Sequence, residues 1–214
     1  MKRASILLVI PIGCLLTLPA TLIACSHEWY SRIEIENELG SYSFEYPKNY
    51  RQEIRDNLEY NPPYAYLILV GPTMVEKAEV MDPGTGRTKT VTGKRVASSI
   101  TVTISKYKNY FGETYSAVDR IESLLEDEAK WEHFKLIERS PLTISGSQGE
   151  LVVYLVDKLM PIPREDGKNL EYVRAVFFDY NNLTWEIEAK CNEDIQERVK
   201  ADFDHIIDTF KILK

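Results

Sequence analysis

The sequence predicts an α+β domain built on a largely antiparallel β-sheet with flanking helices. Three observations carry this. Stretches with an apolar residue at every second position outnumber those with a three- to four-residue period. Successive strands are joined by short turns, which makes chain neighbours pair as hairpins. Only two stretches have helical periodicity, one in the middle and one at the end.

Ile33 and Ile35 alternate with Glu34 and Glu36, and Tyr42, Phe44 and Tyr46 alternate with Ser41, Ser43 and Glu45. Each set describes a strand with one buried face. Leu39-Gly40 is the turn expected between them, and Pro47 stops the second strand. Tyr64–Val70 is apolar at both parities and reads as a central strand. Residues 71–96 read as an insertion, with Asp82-Pro83-Gly84 as a turn between Val80-Met81 and the alternating Arg87–Val91. This describes a projecting β-arm. Strand character returns over Ala97–Ser105.

From Ser116 the period changes. Val118, Ile121, Leu125 and Ala129 recur at helical spacing with Leu124 beside them, and the helix is expected to fade near His133. The Ser116 hydroxyl, three residues ahead of Asp119, is placed to accept a free backbone N–H at the helix start. Strands are expected at Lys135–Ser145 and Glu150–Asp157, turning through Gly146–Gly149, and again at Glu171–Asp179. Asn181-Asn182 separates two alternating runs, and asparagine tolerates the positive φ that a two-residue hairpin turn needs. The closing helix carries Ile195, Val199, Phe203, Ile206 and Phe210 on one stripe, with Asp202 expected to face water.

The first residues carry the clearest statement about location. Lys2 and Arg3 precede a run from Ile6 to Ala24 without a charge, which ends in Leu22-Ile23-Ala24-Cys25 and a polar Ser26-His27-Glu28. A basic start, an apolar middle and a small residue before the cut describe a secretory signal. The Leu-x-Ala-Cys ending resembles the lipobox of bacterial lipoproteins. That resemblance implies a diacylglyceryl group (with palmitate among its chains) on Cys25 and cleavage before it. Residues 1–24 are then a signal peptide, 25–32 a lipidated tether and 33–214 the folded domain. The expected location is the extracytoplasmic face of the cell membrane, held there by lipid.

The chain has 26 Lys and Arg against 33 Asp and Glu, a net charge of −7, and removal of the leader with Lys2 and Arg3 brings it to −9. Nucleic acid is not an expected partner of such a surface. Against this background Arg87, Lys89, Lys94 and Arg95 occur with no acid from Pro83 to Ala97. They are the candidate contact for an acidic partner or anionic lipid. An edge that lysines protect from strand pairing is the plainer reading.

No motif of catalysis or metal binding is complete in the sequence. Ser145-Gly146-Ser147-Gln148-Gly149 lacks the first glycine of a nucleophile elbow and lies between strands. Gly86 and Gly93 are too far apart for a phosphate loop, and Lys94 is followed by Arg95. His27, His133 and His205 have no second ligand at zinc spacing. The acidic run Glu126-Asp127-Glu128 reads as a solvated helix face, and Cys191 as a small structural residue. Tyr42, Phe44, Tyr46, Tyr64 and Tyr66 fit a core better than a groove. No catalytic residue, metal or cofactor is assigned.

Tyr42-Ser43-Phe44-Glu45-Tyr46-Pro47 resembles the Phe-x-Tyr-Pro opening strand of the PsbP-like/Mog1-like family. Asp208-Thr209-Phe210-Lys211-Ile212 resembles that family's Ser-Phe ending, with Thr209 in the serine position, and Tyr50 stands where the family often has tryptophan. The resemblance covers about residues 33–213. It implies an α/β/α sandwich and a role in assembling or stabilising other proteins, as plant members do for photosystem II. The expected function is therefore a membrane-anchored, non-enzymatic accessory or binding protein of the cell envelope, with an envelope protein as a possible partner. Two alternatives stay open: a hydrolase-type envelope enzyme, and a carrier of a small apolar ligand.

Overall fold

The computed structural model describes residues 29–57, 63–81, 84–106, 115–131, 133–157 and 170–213. Seven strands form the main sheet: β3 (Arg51–Asn57), β4 (Tyr64–Val70), β7 (Ser98–Ser105), β8 (Lys135–Ile144), β9 (Ser147–Asp157), β10 (Leu170–Tyr180) and β11 (Leu183–Asn192). Their spatial order is β3-β4-β7-β11-β10-β9-β8, and every pair is antiparallel. A second sheet joins β1 (Tyr30–Glu36), β2 (Ser41–Pro47) and the short β12 (Lys211–Leu213) in the order β1-β2-β12. The strands β5 (Thr73–Met81) and β6 (Thr88–Val96) pair with each other in a sheet of their own. Helix α1 spans Ala117–Glu128 and helix α2 spans Gln196–Thr209. The fold is α+β with mostly antiparallel sheets, as the periodicities predict.

The main sheet is sandwiched because alternate residues of its strands bury on opposite faces. On one face Leu67, Leu69, Ile100, Val102, Val176, Phe178, Trp185 and Ile187 pack with Tyr42 and Phe44 of β2 and with Val199, Phe203, Ile206 and Phe210 of the α2 region. On the other face Val152, Tyr154, Val173, Ala175 and Phe177 pack under Ala117, Ile121 and Leu124 of α1. The residue stripe of α2 holds as read: Val199, Phe203 and Ile206 are its buried positions. Ser116 caps α1 reciprocally, with its side chain accepting from the Asp119 N–H while Asp119 accepts from the Ser116 N–H.

Several details differ from the sequence reading. The buried stripe of α1 is Ala117, Ile121, Leu124 and Glu128, and Val118 is exposed. Ile121 is common to the expected and observed stripes, Leu124 is buried, and Leu125 packs only partly against the same cluster. The helix ends at Glu128, and His133, with φ +64°, belongs to the following turn. Tyr64–Val70 lies second from the sheet edge, and its alternate residues are only half-buried. The β8–β9 turn is the two-residue Ser145-Gly146, both at positive φ. Strands β3 and β12 were not expected, and Asp202 is half-buried rather than facing water.

The two motifs behind the family resemblance meet in space. The Phe210 ring stacks with those of Tyr42 (5.7 Å) and Phe44 (6.1 Å). The Thr209 hydroxyl accepts from the Glu45 N–H at 3.0 Å and donates to the His205 carbonyl at 2.8 Å.

Candidate functional site

Strand register sorts the chain into two poles. Tyr30 pairs with Pro47, Arg51 with Val70, Val70 with Ser99, and Cys191 with Ser98. The first described residues, the β2–β3 turn, both roots of the β5–β6 arm and the start of α2 therefore gather at one pole, here termed proximal. The opposite, distal pole carries Ser41, Tyr64, Ser105, the Asn181-Asn182 turn and Leu213.

At the proximal pole the Tyr50 hydroxyl ties three elements together. It lies 3.1 Å from the Ser98 hydroxyl of β7 and donates to Asp202 Oδ2 of α2 at 3.2 Å. Burial pushes the Tyr50 phenol up to about 12, the Ser98 hydrogen bond opposing and the Asp202 charge reinforcing the shift. Asp202 itself is raised above the usual carboxylate range, because loss of water outweighs the Tyr50 hydrogen bond and the Arg198 and His205 charges. Gly71, at the root of the arm, leaves no room beside this knot. A Cβ there would lie 2.3 Å from Ser98 Oγ and 3.2 Å from the Tyr50 ring. The arm is thus seated on the same residues that join β7 to α2.

A cavity of about 580 Å³ opens beside the knot, lined by Trp29, Tyr30, Lys48, Asn49, Arg198 and Asp202, with Pro47. Lys48 N–H donates to the Trp29 carbonyl at 3.0 Å, fixing where the chain joins the fold. The Tyr30 ring stacks on His205 at 3.8 Å, and His205 Nε2 lies 3.1 Å from Glu45 Oε2. A second cavity of about 580 Å³ at the distal pole includes Lys106, Tyr115, Ser116 and Asp179. There the Asp179 carboxylate already accepts from the Ala117 N–H and the Thr184 hydroxyl, so it serves the start of α1.

Arg87 and Lys89 are exposed near the end of the arm. The pairing sets Lys94 opposite Val75 and Arg95 opposite Met74, toward the arm's root. Cys25 lies outside the described residues. Cys191 is buried, and burial pushes its thiol up to about 12, far from a reactive thiolate. Asp127 pairs with Lys130 at 2.8 Å, while Glu128 is buried. The tyrosines divide: Tyr42, Phe44 and Tyr46 are in the core, whereas Tyr64 and Tyr66 are half-buried and stacked at 5.8 Å on the main sheet. Among the described residues no group of three or more His, Cys, Asp or Glu is placed to hold a metal ion, and no helix is long and apolar enough to cross a membrane.

Trp29, Lys48 and Arg198 escaped the sequence reading, and Tyr50 and Asp202 were read without a part in a site. They are far apart in the chain and gain meaning only through register. The one available signal was the aromatic Tyr50, just past the end of β2.

The architecture is that of a PsbP-like fold. Among solved structures, the chain is similar to the cyanobacterial PsbP (CyanoP) of Synechocystis sp. PCC 6803, with a TM-score of 0.50 and 15% identity over 86% of this chain and 92% of that one. It is similar also to LpqN of Mycobacterium tuberculosis, a protein involved in cell envelope biogenesis, with a TM-score of 0.50 and 14% identity over 94% of this chain and all of that one. No family model matches the chain, and comparison with curated proteins returns no match.

Proposed function

We propose that this protein is a non-enzymatic accessory or binding protein of the cell envelope, anchored to the membrane by lipid on Cys25. The observation that carries this reading is the gathering of the chain's first described residues and the arm at one pole. Cys25 precedes Trp29 by four residues, so an anchor there holds the proximal pole within about 14 Å of the lipid. Lipid on one cysteine then fixes which end of the fold faces the bilayer. The fold likeness to LpqN, which is involved in cell envelope biogenesis, supports the location, and the likeness to a PsbP supports an accessory role.

Incorporation of labelled palmitate tests the anchor. The wild-type chain takes up label and fractionates with membranes, while Cys25→Ala takes up none and stays uncleaved. Label persisting in Cys25→Ala would sink the assignment.

A further inference from the structure

Several of the chain's cations are spent inside the fold. Arg120 pairs with Glu186, Arg139 with Glu122 and Glu150, Arg174 with Asp204, and Lys190 with Glu188. Lys48 and Arg198 differ. Both are exposed and line the proximal cavity, and among the described residues neither side chain makes an ion pair or a hydrogen bond. Arg198 acts on Tyr50 and Asp202 only as a nearby charge. Asp202, the one acid in the lining, already accepts from the Tyr50 hydroxyl at 3.2 Å, and Glu45 of β2 is engaged with His205. A smaller cleft of about 260 Å³, lined by β1 with Ile54 and Tyr66, has the opposite character, for exposed Glu34 and Glu36 edge it.

This lining suits a phosphate ester. An arginine is a planar fork that meets two phosphate oxygens at once, and a lysine is a compact charge with three donors. The exposed Asn49 amide adds a neutral donor. Trp29, 76% exposed, joins an apolar ring to one N–H, the combination that settles at a membrane–water boundary. The cavity's volume of about 580 Å³ is that of sites for small ligands, roughly 300–1,000 Å³. The chain's own geometry selects the source of the phosphate. Trp29 follows Cys25 by four residues, so an anchor on Cys25 keeps this lining residue within about 14 Å of lipid. A short tether of this kind presents headgroups at a millimolar effective concentration, which fills a site too weak to capture phosphate from solution.

We infer that the proximal cavity is a binding site for the phosphate of an anionic phospholipid headgroup, met by Lys48 and Arg198, with Trp29 at the membrane boundary. This rests on the anchored reading above for the source of the phosphate, and on the cavity's own side chains for the chemistry. A net charge of −9 after cleavage repels an anionic bilayer, but acids beyond the screening length of about 8 Å count little at the contact. Two uncommitted cations at the pole that faces the lipid give that contact a favourable local sign. Cys25 selects which end of the fold meets the bilayer, and the cavity fixes how that end is turned upon it.

The test uses the full chain in vesicles whose acyl chains carry bromine close to the headgroup. Emission of Trp29 is read as the difference between wild type and Trp29→Phe. In phosphatidylglycerol-rich vesicles this emission is quenched, and quenching is weaker in phosphatidylcholine alone. Lys48→Glu with Arg198→Glu lowers the quenched fraction by about tenfold or more, and the neutral pair Lys48→Gln with Arg198→Gln lowers it less. Each pair is read only with a cooperative urea transition, so either one suffices if the other fails to fold. Lys135→Glu with Lys200→Glu makes the same charge change at exposed positions outside the cavity and leaves quenching as it was. Equal losses in the two glutamate pairs overturn the site in favour of overall charge. Quenching untouched by reversal at Lys48 and Arg198, in chains that carry palmitate, overturns the site and leaves the anchor standing. Quenching that depends on Lys48 and Arg198 in a chain that takes up no palmitate keeps the site and removes the anchor. Relief of quenching by millimolar inorganic phosphate, against chloride at equal ionic strength, assigns the cavity to free phosphate and overturns the lipid source.

Discussion

Two hairpins of nearly equal length meet opposite fates in this chain. β10 and β11 form the middle of the main sheet around the Asn181-Asn182 turn, where φ values of +52° and +60° give the backbone the twist its strands need. Val173, Phe177, Phe178, Trp185 and Ile187 bury on their two faces. β5 and β6 pair just as regularly, through nine residues on each side, and leave Val75, Met81 and Val96 in the open. The backbone hydrogen bonds are of the same kind in both. What separates them is the side-chain surface removed from water, which is where a sheet's stability comes from. At its described apolar positions, Val75, Met81 and Val96, the β5–β6 hairpin stays regular without that burial.

The sharpest way to break this contrast is to truncate a large apolar side chain in each hairpin. Phe178→Ala should lower stability by about 3–5 kcal/mol, since it opens a cavity among Trp185, Phe210 and their neighbours. Met81→Ala should change it by no more than about 0.5 kcal/mol. Urea unfolding measures both, and comparable losses would mean the arm is part of the core. At the junction, Gly71→Ala forces a Cβ against Ser98 and Tyr50 and should cost about 1–3 kcal/mol through overpacking. Hydrogen exchange should then show faster opening at the arm's roots.

The contrast was half legible in the sequence. The run VRAVFFDY-NN-LTWEIEAK announces a buried hairpin through its aromatics and its turn, and the stripe on α2 through Phe203 was readable to the residue. The arm's turn and alternation were also visible. That Val75, Met81 and Val96 share a face was not, because residues at 75, 81 and 96 acquire it only through pairing. β3, with the sequence RQEIRDN, hides for a related reason. It is an edge strand whose single apolar residue, Ile54, is exposed, so no buried face writes itself into the pattern. β12 is three residues appended to a helix, too short for any period. The proximal knot of Tyr50, Ser98 and Asp202 joins positions separated by 48 and 152 residues, and nothing local marks it.

Turn substitutions sharpen the comparison at a smaller scale. Asn182 and Gly86 both sit at φ near +60°, where a β-carbon meets the following carbonyl and costs about 1–2 kcal/mol in a residue without a compensating polar side chain. Asn182→Ala should show that loss in global unfolding, because β10 and β11 open only with the whole sheet. Gly86→Ala should strain the arm locally and leave the global midpoint within about 0.5 kcal/mol, since the arm opens on its own. Equal shifts of the midpoint would show that arm and sheet unfold as one unit.

The smallest effect is expected where the arm's root meets α2. Burial raises the Asp202 carboxyl above its ordinary value of 3.8, against the pull of Tyr50, Arg198 and His205 toward the charged form. The folded state therefore holds this proton more tightly than the unfolded one. Asp202 contributes its full stability below the unfolded value, and that contribution is lost as pH rises through the raised folded value. The Asp202→Asn variant keeps a carbonyl oxygen to accept from the Tyr50 hydroxyl and carries no charge to bury. It should be modestly more stable than wild type at neutral pH, and the gain should shrink as pH falls into the carboxylate range. Urea midpoints of both proteins from pH 4 to 7 measure this. A variant less stable than wild type at pH 7 would mean that the ionised Asp202 holds the knot together, and the arm's seat would then be an ion pair with Arg198 rather than a hydrogen-bonded hydroxyl chain.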